Sequence, residues 1–218
     1  MSIFRKDLKN NPKFIKKAIK VSPLIIQSIG KKLRKDKEFL LSIINKKTCM
    51  SGIFKIVSKE LLDDTEFVLE CSKYGNIAYY MSHRLKDNED VLLSILNKQN
   101  LSYCYASERL RNNASFMLKI IEREKIALEY VSDKLLCDKQ FVIKVIDITK
   151  GKTTYKYEQL FLDDEDVMLK RLEYNKTALA NASNRLKNDK NFILKSIKIY
   201  DKSLKYASKK IKQELNNK

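Results

Sequence analysis

The chain has little of what most fold classes need. Its 218 residues include four Gly and two Pro, too few for the turns of an all-β or loop-rich protein. Trp is absent and His83 is the single histidine, so any His-based triad would have to be built on that one residue. Cys49, Cys71, Cys104 and Cys137 are widely separated, with no C-x-x-C. That spacing speaks against a disulfide framework or a repeated metal site. Reduced thiols and a cytoplasmic setting are expected. No apolar run approaches the roughly 18 residues of a membrane span, and the N-terminal segment lacks a signal-type apolar stretch. No membrane association is expected. Neither G-x-x-x-x-G-K-[ST] nor G-x-G-x-x-G occurs. No catalytic, cofactor-binding or metal-binding residue is assigned, no cofactor is expected, and the chain reads as a non-enzyme.

What is present is a repeat. A Leu column runs Leu33, Leu61, Leu85, Leu110, Leu135, Leu160, Leu186, Ile211. Three residues on (four after Leu160) comes a polar column, which Asn11 opens: Asn11, Asp36, Asp64, Asn88, Asn113, Asp138, Asp164, Asp189. Three further on lies a bulky apolar column: Phe14, Phe39, Phe67, Val91, Phe116, Phe141, Val167, Phe192. Seven intervals of 24 to 28 residues keep this register. Asp and Asn are strong helix N-caps. Glu38, Glu66, Asp90 and Asp166, two positions later, suit the positive helix start. Runs such as Phe116, Met117, Ile120, Ile121 have helical spacing. A polar break and a second short helix with the Ser and Leu columns complete each unit.

Such short helices are marginal alone, and one pair cannot bury its own apolar face. The expected fold is therefore all-α, an α-solenoid of about eight helix-pair repeats of about 25 residues. It is read as a single repeat domain over 1–218, with repeats starting near 11, 36, 64, 88, 113, 138, 164 and 189. Residues 1–10 form a half-unit, with Leu8 at its tail. Extra residues at Lys46 to Ile53, and the unit from Asp147 to Tyr157 with Gly151 in its turn and Tyr157 in place of Ser, predict loops or a bend.

Several segments carry a family resemblance: Tyr105-Ala106-Ser107-Glu108-Arg109-Leu110, Tyr130-Val131-Ser132-Asp133-Lys134-Leu135, Tyr206-Ala207-Ser208 and Asp64-Thr65-Glu66-Phe67-Val68-Leu69. The chain resembles an uncharacterised bacterial family of short tandem repeats whose units read Asp-x-Glu-Val-Val-Leu, a turn, then Ala-Leu-x-Tyr-Ala-Ser-x-x-Leu. The resemblance covers about residues 11 to 212. It implies the repeat and no activity.

Charge supplies the functional reading. Lys and Arg total 45 against 27 Asp and Glu, a formal net charge of +18. Residues 1–47 hold 14 basic and 3 acidic residues, residues 176–218 hold 12 and 3, and residues 48–175 hold 19 and 21. Two basic ends flank a nearly neutral middle, which favours an acidic partner. The candidate contacts are Lys13, Lys16, Lys17, Lys20, Lys31, Lys32, Arg34 and Lys35 at one end, and Lys205, Lys209 and Lys210 at the other. Arg84, Arg109, Lys134 and Arg185 join them from a column two residues after each Ser, which also holds Lys32, Glu60, Gln159 and Lys210. That column reads either as an anion rail or as a solvated helix end helped by the dipole. The Tyr80, Tyr105, Tyr130, Tyr155, Asn181, Tyr206 column reads either as inter-repeat packing or as a base-stacking platform. Asp163-Asp164-Glu165-Asp166 reads as a cap cluster rather than a metal site.

The functional expectation is a helical-repeat adaptor that recognises an acidic protein or a protein–nucleic-acid complex through a curved face and basic ends. Two other readings remain open. One is an inhibitor or regulator of a nucleic-acid enzyme, such as a phage-borne inhibitor of an RNA-guided nuclease. The other is a direct binder of single-stranded nucleic acid.

Overall fold

The computed structural model describes residues 5–50, 52–96, 102–152 and 159–216. It is an all-α repeat fold, with no strand among the described residues. Eight first helices carry the repeat. They are α1 (Pro12–Val21), α2 (Lys37–Ile43), α3 (Thr65–Ser72), α4 (Glu89–Ile95), α5 (Ala114–Arg123), α6 (Lys139–Thr149), α7 (Glu165–Tyr174) and α8 (Lys190–Ile199).

Every residue of the polar column caps one of them. The side-chain oxygen of the cap accepts from the backbone N–H three residues on, at 2.8 to 3.1 Å in all eight cases. That donor belongs to the bulky apolar column. The polar and apolar columns are thus joined by a hydrogen bond that satisfies one of the orphan N–H groups at the helix start. Behind the cap the apolar stripe turns inward. Phe116, Met117, Ile120 and Ile121 of α5 are buried, as are Phe141, Val142, Val145 and Ile146 of α6.

The return leg is a 3₁₀ segment followed by a single helical turn. Examples are Lys125–Tyr130 with Asp133–Leu136, and Ala178–Asn181 with Asn184–Lys187. The column Ser sits before that turn and caps it, accepting from Leu85, Leu110, Leu135, Leu186 and Ile211 N–H at 3.1 to 3.4 Å. The Leu column then points into the core.

One member departs. Leu160 is 54% exposed. Backbone pairing explains why: Ser82, Ser107, Ser132 and Ser208 N–H each donate to the carbonyl one residue past the preceding column Leu, whereas Ser183 donates to Leu162. Phe161, half-buried, therefore holds the column position in that repeat, and its spacing to Asp164 becomes the usual three.

The chain divides into two compact units, residues 1–110 and 111–218. In the first, α2 packs on α3 and α3 on α4. In the second, α5, α6, α7 and α8 pack in sequence, each on the next. Both irregular stretches have definite endings. Residues 46–50 form an additional short helix rather than a loop. Asn45 Oδ1 accepts from Lys47 and Thr48 N–H, and the Thr48 hydroxyl donates to the Ile43 carbonyl. Helix α6 ends at Lys150 and Gly151, both left-handed, with Gly151 N–H returning to the Ile146 carbonyl, a glycine-type C-cap. Tyr155 and Tyr157 lie outside the described residues.

Candidate functional site

The seam between consecutive repeats consumes much of the charge. In the first unit the Ser82 hydroxyl donates to the Asp63 carboxylate. Arg84 Nε lies 3.0 and 3.3 Å from the two oxygens of that carboxylate, and its terminal nitrogen donates to the Asp63 carbonyl. Ser107, Arg109 and Asp87 repeat the arrangement, with Nε at 3.0 and 2.9 Å. Ser183, Arg185 and Asp163 repeat it again in the second unit, at 2.9 and 3.0 Å. The Ser hydroxyl, and after it the guanidinium, hold each of these three carboxyls below the usual range. Both groups donate to the ionised form.

The acid of this clasp lies two residues past the Leu column, and its cation two past the next Ser. Those two positions change together. Lys35 faces Glu60 at 3.8 Å, the same pair with signs exchanged. Where the first position is Asn10, Asn112 or Asn188, the second is Lys32, Lys134 or Lys210, and these three lysines form no ion pair among the described residues. The Asn10 side chain accepts from Lys32 N–H, while Lys9 carbonyl accepts from Gly30 N–H. The half-unit helix Lys6–Lys9 thus gives the first repeat the seam that a full repeat would give. Arg84, Arg109 and Arg185, candidates for partner contact, are placed in the clasp. Arg34 is half-buried and donates to the Ile29 carbonyl at 2.9 Å.

Further lysines bridge forward to the next helix start. Lys37 spans Asp64 and Glu66 at 2.9 and 2.7 Å, and Lys139 spans Asp164 and Asp166 at 3.1 and 2.5 Å. Lys190, at the same position of α8, pairs instead with Glu214 on the eight-residue helix Lys209–Asn216. Lys195 takes Glu165 at 2.6 Å. Every acid of the 163–166 run therefore serves the fold, as clasp, cap or ion-pair partner.

The first helix is different. Lys13, Lys16, Lys17 and Lys20 are exposed on α1, spaced i, i+3, i+4, i+7 along one face. No acid occurs between Asp7 and Asp36. Lys16 Nζ stands 5.9 Å from the Phe39 ring, and the four lysines form no ion pair among the described residues. Two of them break the pattern of the repeat. Lys13 occupies the position of Glu38, Glu66, Asp90 and Asp166. Lys16 occupies the position that is Leu or Ile in all seven other repeats: Leu41, Leu69, Leu93, Leu118, Ile143, Leu169 and Leu194. Lys31 and Lys32 are exposed in the turn after the 3₁₀ segment Pro23–Ser28.

In the second unit Lys205, Lys209 and Lys210 are exposed. Lys205 Nζ stands 4.8 Å from the Tyr206 ring centroid. An open groove of about 450 Å³ is lined by Lys202, Leu204, Lys205, Lys212 and Asn216. Lys202 and Lys212 carry no motif and were reachable from the sequence only as part of the local excess of Lys.

The Tyr column is half-buried at Tyr80, Tyr105, Tyr130 and Tyr206. Tyr80 packs against Phe54, with ring centroids 6.1 Å apart. Tyr79, one residue before the column, is exposed and set edge-on to Tyr80 and Tyr105 at 4.8 and 5.6 Å. Lys86 donates to the Tyr79 carbonyl and lies over the Tyr79 and Tyr105 rings. The desolvation there holds its pKa below the ordinary lysine value. All four cysteines are free thiols. Burial pushes Cys49 up to about 11 and raises Cys71 as well, which keeps both protonated and poorly nucleophilic. No helix among the described residues is long and apolar enough to cross a membrane.

The model of a family described as a domain of unknown function, DUF4116, matches residues 11–62, 64–111, 113–157 and 164–212. Each copy opens on a cap residue, Asn11, Asp64, Asn113 or Asp164, and so spans two helix-pair repeats. No curated protein and no solved structure matches the chain.

Proposed function

We propose that this chain, which belongs to the DUF4116 family of domains of unknown function, is a non-enzymatic repeat protein that binds an acidic macromolecule through its basic ends. The observation that carries the reading is a contrast in how cations are used. Within the repeats, Arg84, Arg109, Arg185, Lys37, Lys139 and Lys195 each meet a carboxylate of a neighbouring repeat. The lysines of α1 meet none among the described residues. A fold that pairs these cations across its seams, and leaves a one-signed stripe on its first helix, has a surface suited to a partner that supplies the missing sign. The half-buried Tyr column serves packing and gives little support to a stacking platform for single strands.

The test is capture from host lysate by the full chain, compared with the variant Lys13→Glu, Lys16→Glu, Lys17→Glu, Lys20→Glu, each with and without nuclease. All four sites are exposed, so circular dichroism of the variant should match the parent. A partner held by the parent and released by the variant supports the reading. Equal capture by both removes the first helix from it.

A further inference from the structure

We infer that the lysine face of α1 docks on the sugar-phosphate backbone of a nucleic-acid duplex, without reading its sequence. This rests on the acidic-partner reading above and narrows it to one chemistry.

Four features point to a phosphate backbone rather than an acidic protein. The first is the pattern break. Lys13 sits two residues after the α1 cap, where the helix dipole favours an acid. Four other repeats place one there. Lys16 replaces an aliphatic residue found in every other repeat. Lys13 works against the dipole of its own helix and Lys16, 5.9 Å from the Phe39 ring, gives up an aliphatic side chain, and such local departures from a repeat's own rule are expected at functional positions.

The second is geometry. Lys13 to Lys20 spans seven residues, about 10 Å of helix, and the four side chains lie within an arc of about 100°. Phosphates of one duplex strand advance about 3.4 Å per step along the axis. The stripe is therefore long enough to face about three of them.

The third is residue type. Lysine is a flexible, strongly hydrated point charge that follows a diffuse anionic field. Planar two-point recognition of a carboxylate is the work of Arg. In this chain Arg84 and Arg109 grip a carboxylate and its backbone carbonyl through two nitrogens, whereas Lys37 and Lys139 meet acids as point charges, and the open stripe is all Lys.

The fourth is what the face lacks. Protein interfaces draw their energy from aromatic and Arg anchors and are depleted in Lys. The aromatic side chain of α1, Phe14, is half-buried, and the exposed apolar neighbours Val21 and Leu24 are aliphatic. Without an exposed ring there is no platform for unpaired bases. A duplex backbone needs none.

The experiment measures binding of the full chain to a fluorescent 25-base-pair duplex of arbitrary sequence across a KCl series. The same duplex scrambled, the corresponding single strand and a labelled polyglutamate chain serve as companion probes. For the parent, the affinity is expected to be the same for both duplexes and to fall steeply with salt. Lys13→Gln, Lys16→Gln, Lys17→Gln, Lys20→Gln together should flatten the log–log salt slope by about 3 and weaken binding at least tenfold at low salt. Lys144→Gln, at an exposed lysine outside the stripe that forms no ion pair among the described residues, should change the slope by no more than about 1. An unchanged slope in the quadruple variant, tighter binding of the single strand, or no duplex binding by the parent would overturn the duplex inference. If polyglutamate then binds the parent and not the variant, the acidic-partner reading survives its failure. If no probe depends on the stripe, both fall.

Discussion

Leu160 and Leu186 stand in one column of the sequence and in opposite environments of the structure, so the same substitution at each makes a direct comparison. Leu186 is fully buried, in a cluster with Met168, Leu172, Leu179 and Phe192. Replacing it with Ala removes about three methylene equivalents, each worth about 0.8 kcal/mol of transfer free energy. The cavity adds to this because a core packed by neighbouring repeats collapses only partly, giving about 2–5 kcal/mol in all. Leu160 is more than half exposed. Water fills the space it leaves, so no cavity forms, and Leu160→Ala should cost about 1 kcal/mol or less. The assay is urea unfolding followed by far-ultraviolet circular dichroism, with thermal melts beside it. In a unit of this size about 1 kcal/mol moves Tm by roughly 4–8 °C. Leu186→Ala should therefore lower the transition of the second unit by on the order of 10 °C or more, and Leu160→Ala by a few degrees. Equal losses at the two sites would refute the register in which Phe161 holds the column position. Phe161→Ala should then be the mild substitution instead.

Three other outcomes follow from the described geometry. Asn113→Ala removes the acceptor for Phe116 N–H at the start of α5 and should cost about 1 kcal/mol in the same urea assay, with Asn113→Asp close to neutral. In the clasp, Asp87→Arg and Arg109→Asp should each destabilise, and the double variant should recover much of the loss, as the reversed Lys35–Glu60 pair suggests. A double-mutant cycle without positive coupling would dismiss the pairing. Asp63, Asp87 and Asp163 have depressed carboxyl pKa values in the folded chain. Their contribution is therefore full above the unfolded carboxylate value and is lost as pH falls through the lower folded values. Tm should stay level above about pH 5 and drop below about pH 4, less steeply when all three are Asn.

The fold was legible because its signals are local. A cap and the N–H it accepts from are three residues apart, so Asn11 and Phe14, or Asp189 and Phe192, announce their bond within one helical turn. The Leu column was legible wherever spacing was regular. It slipped at Leu160 because a one-residue insertion beside two large apolar residues, Leu160 and Phe161, can be placed in two ways, and only the backbone pairing from Ser183 distinguishes them. The extra residues near Lys46 read as a loop or a bend, yet Asn45 and Thr48 supply enough local hydrogen bonds to close another helical turn. The pairing of Arg84, Arg109 and Arg185 within the basic column was not legible for a related reason. Their partners lie about 22 residues earlier, and the positions of the cations alone do not reveal them. The joint change of the two positions, Asp63 with Arg84 and Lys35 with Glu60, is the signal in the sequence that marks the pairing.

By itself the sequence determined the repeat, its caps, its helical apolar stripe and the excess of positive charge at both ends. Each of these is fixed by residue identity and short-range geometry. Only the tertiary structure decided which charges are spent. Stacking one repeat on the next brings Asp63, Asp87 and Asp163 within hydrogen-bonding distance of an arginine. It leaves Lys13, Lys16, Lys17 and Lys20 facing outward, with no acid between Asp7 and Asp36 to meet them. A side chain's charge is a property of the sequence, but whether that charge is neutralised depends on what lies within a few ångströms, and that distance is set by packing.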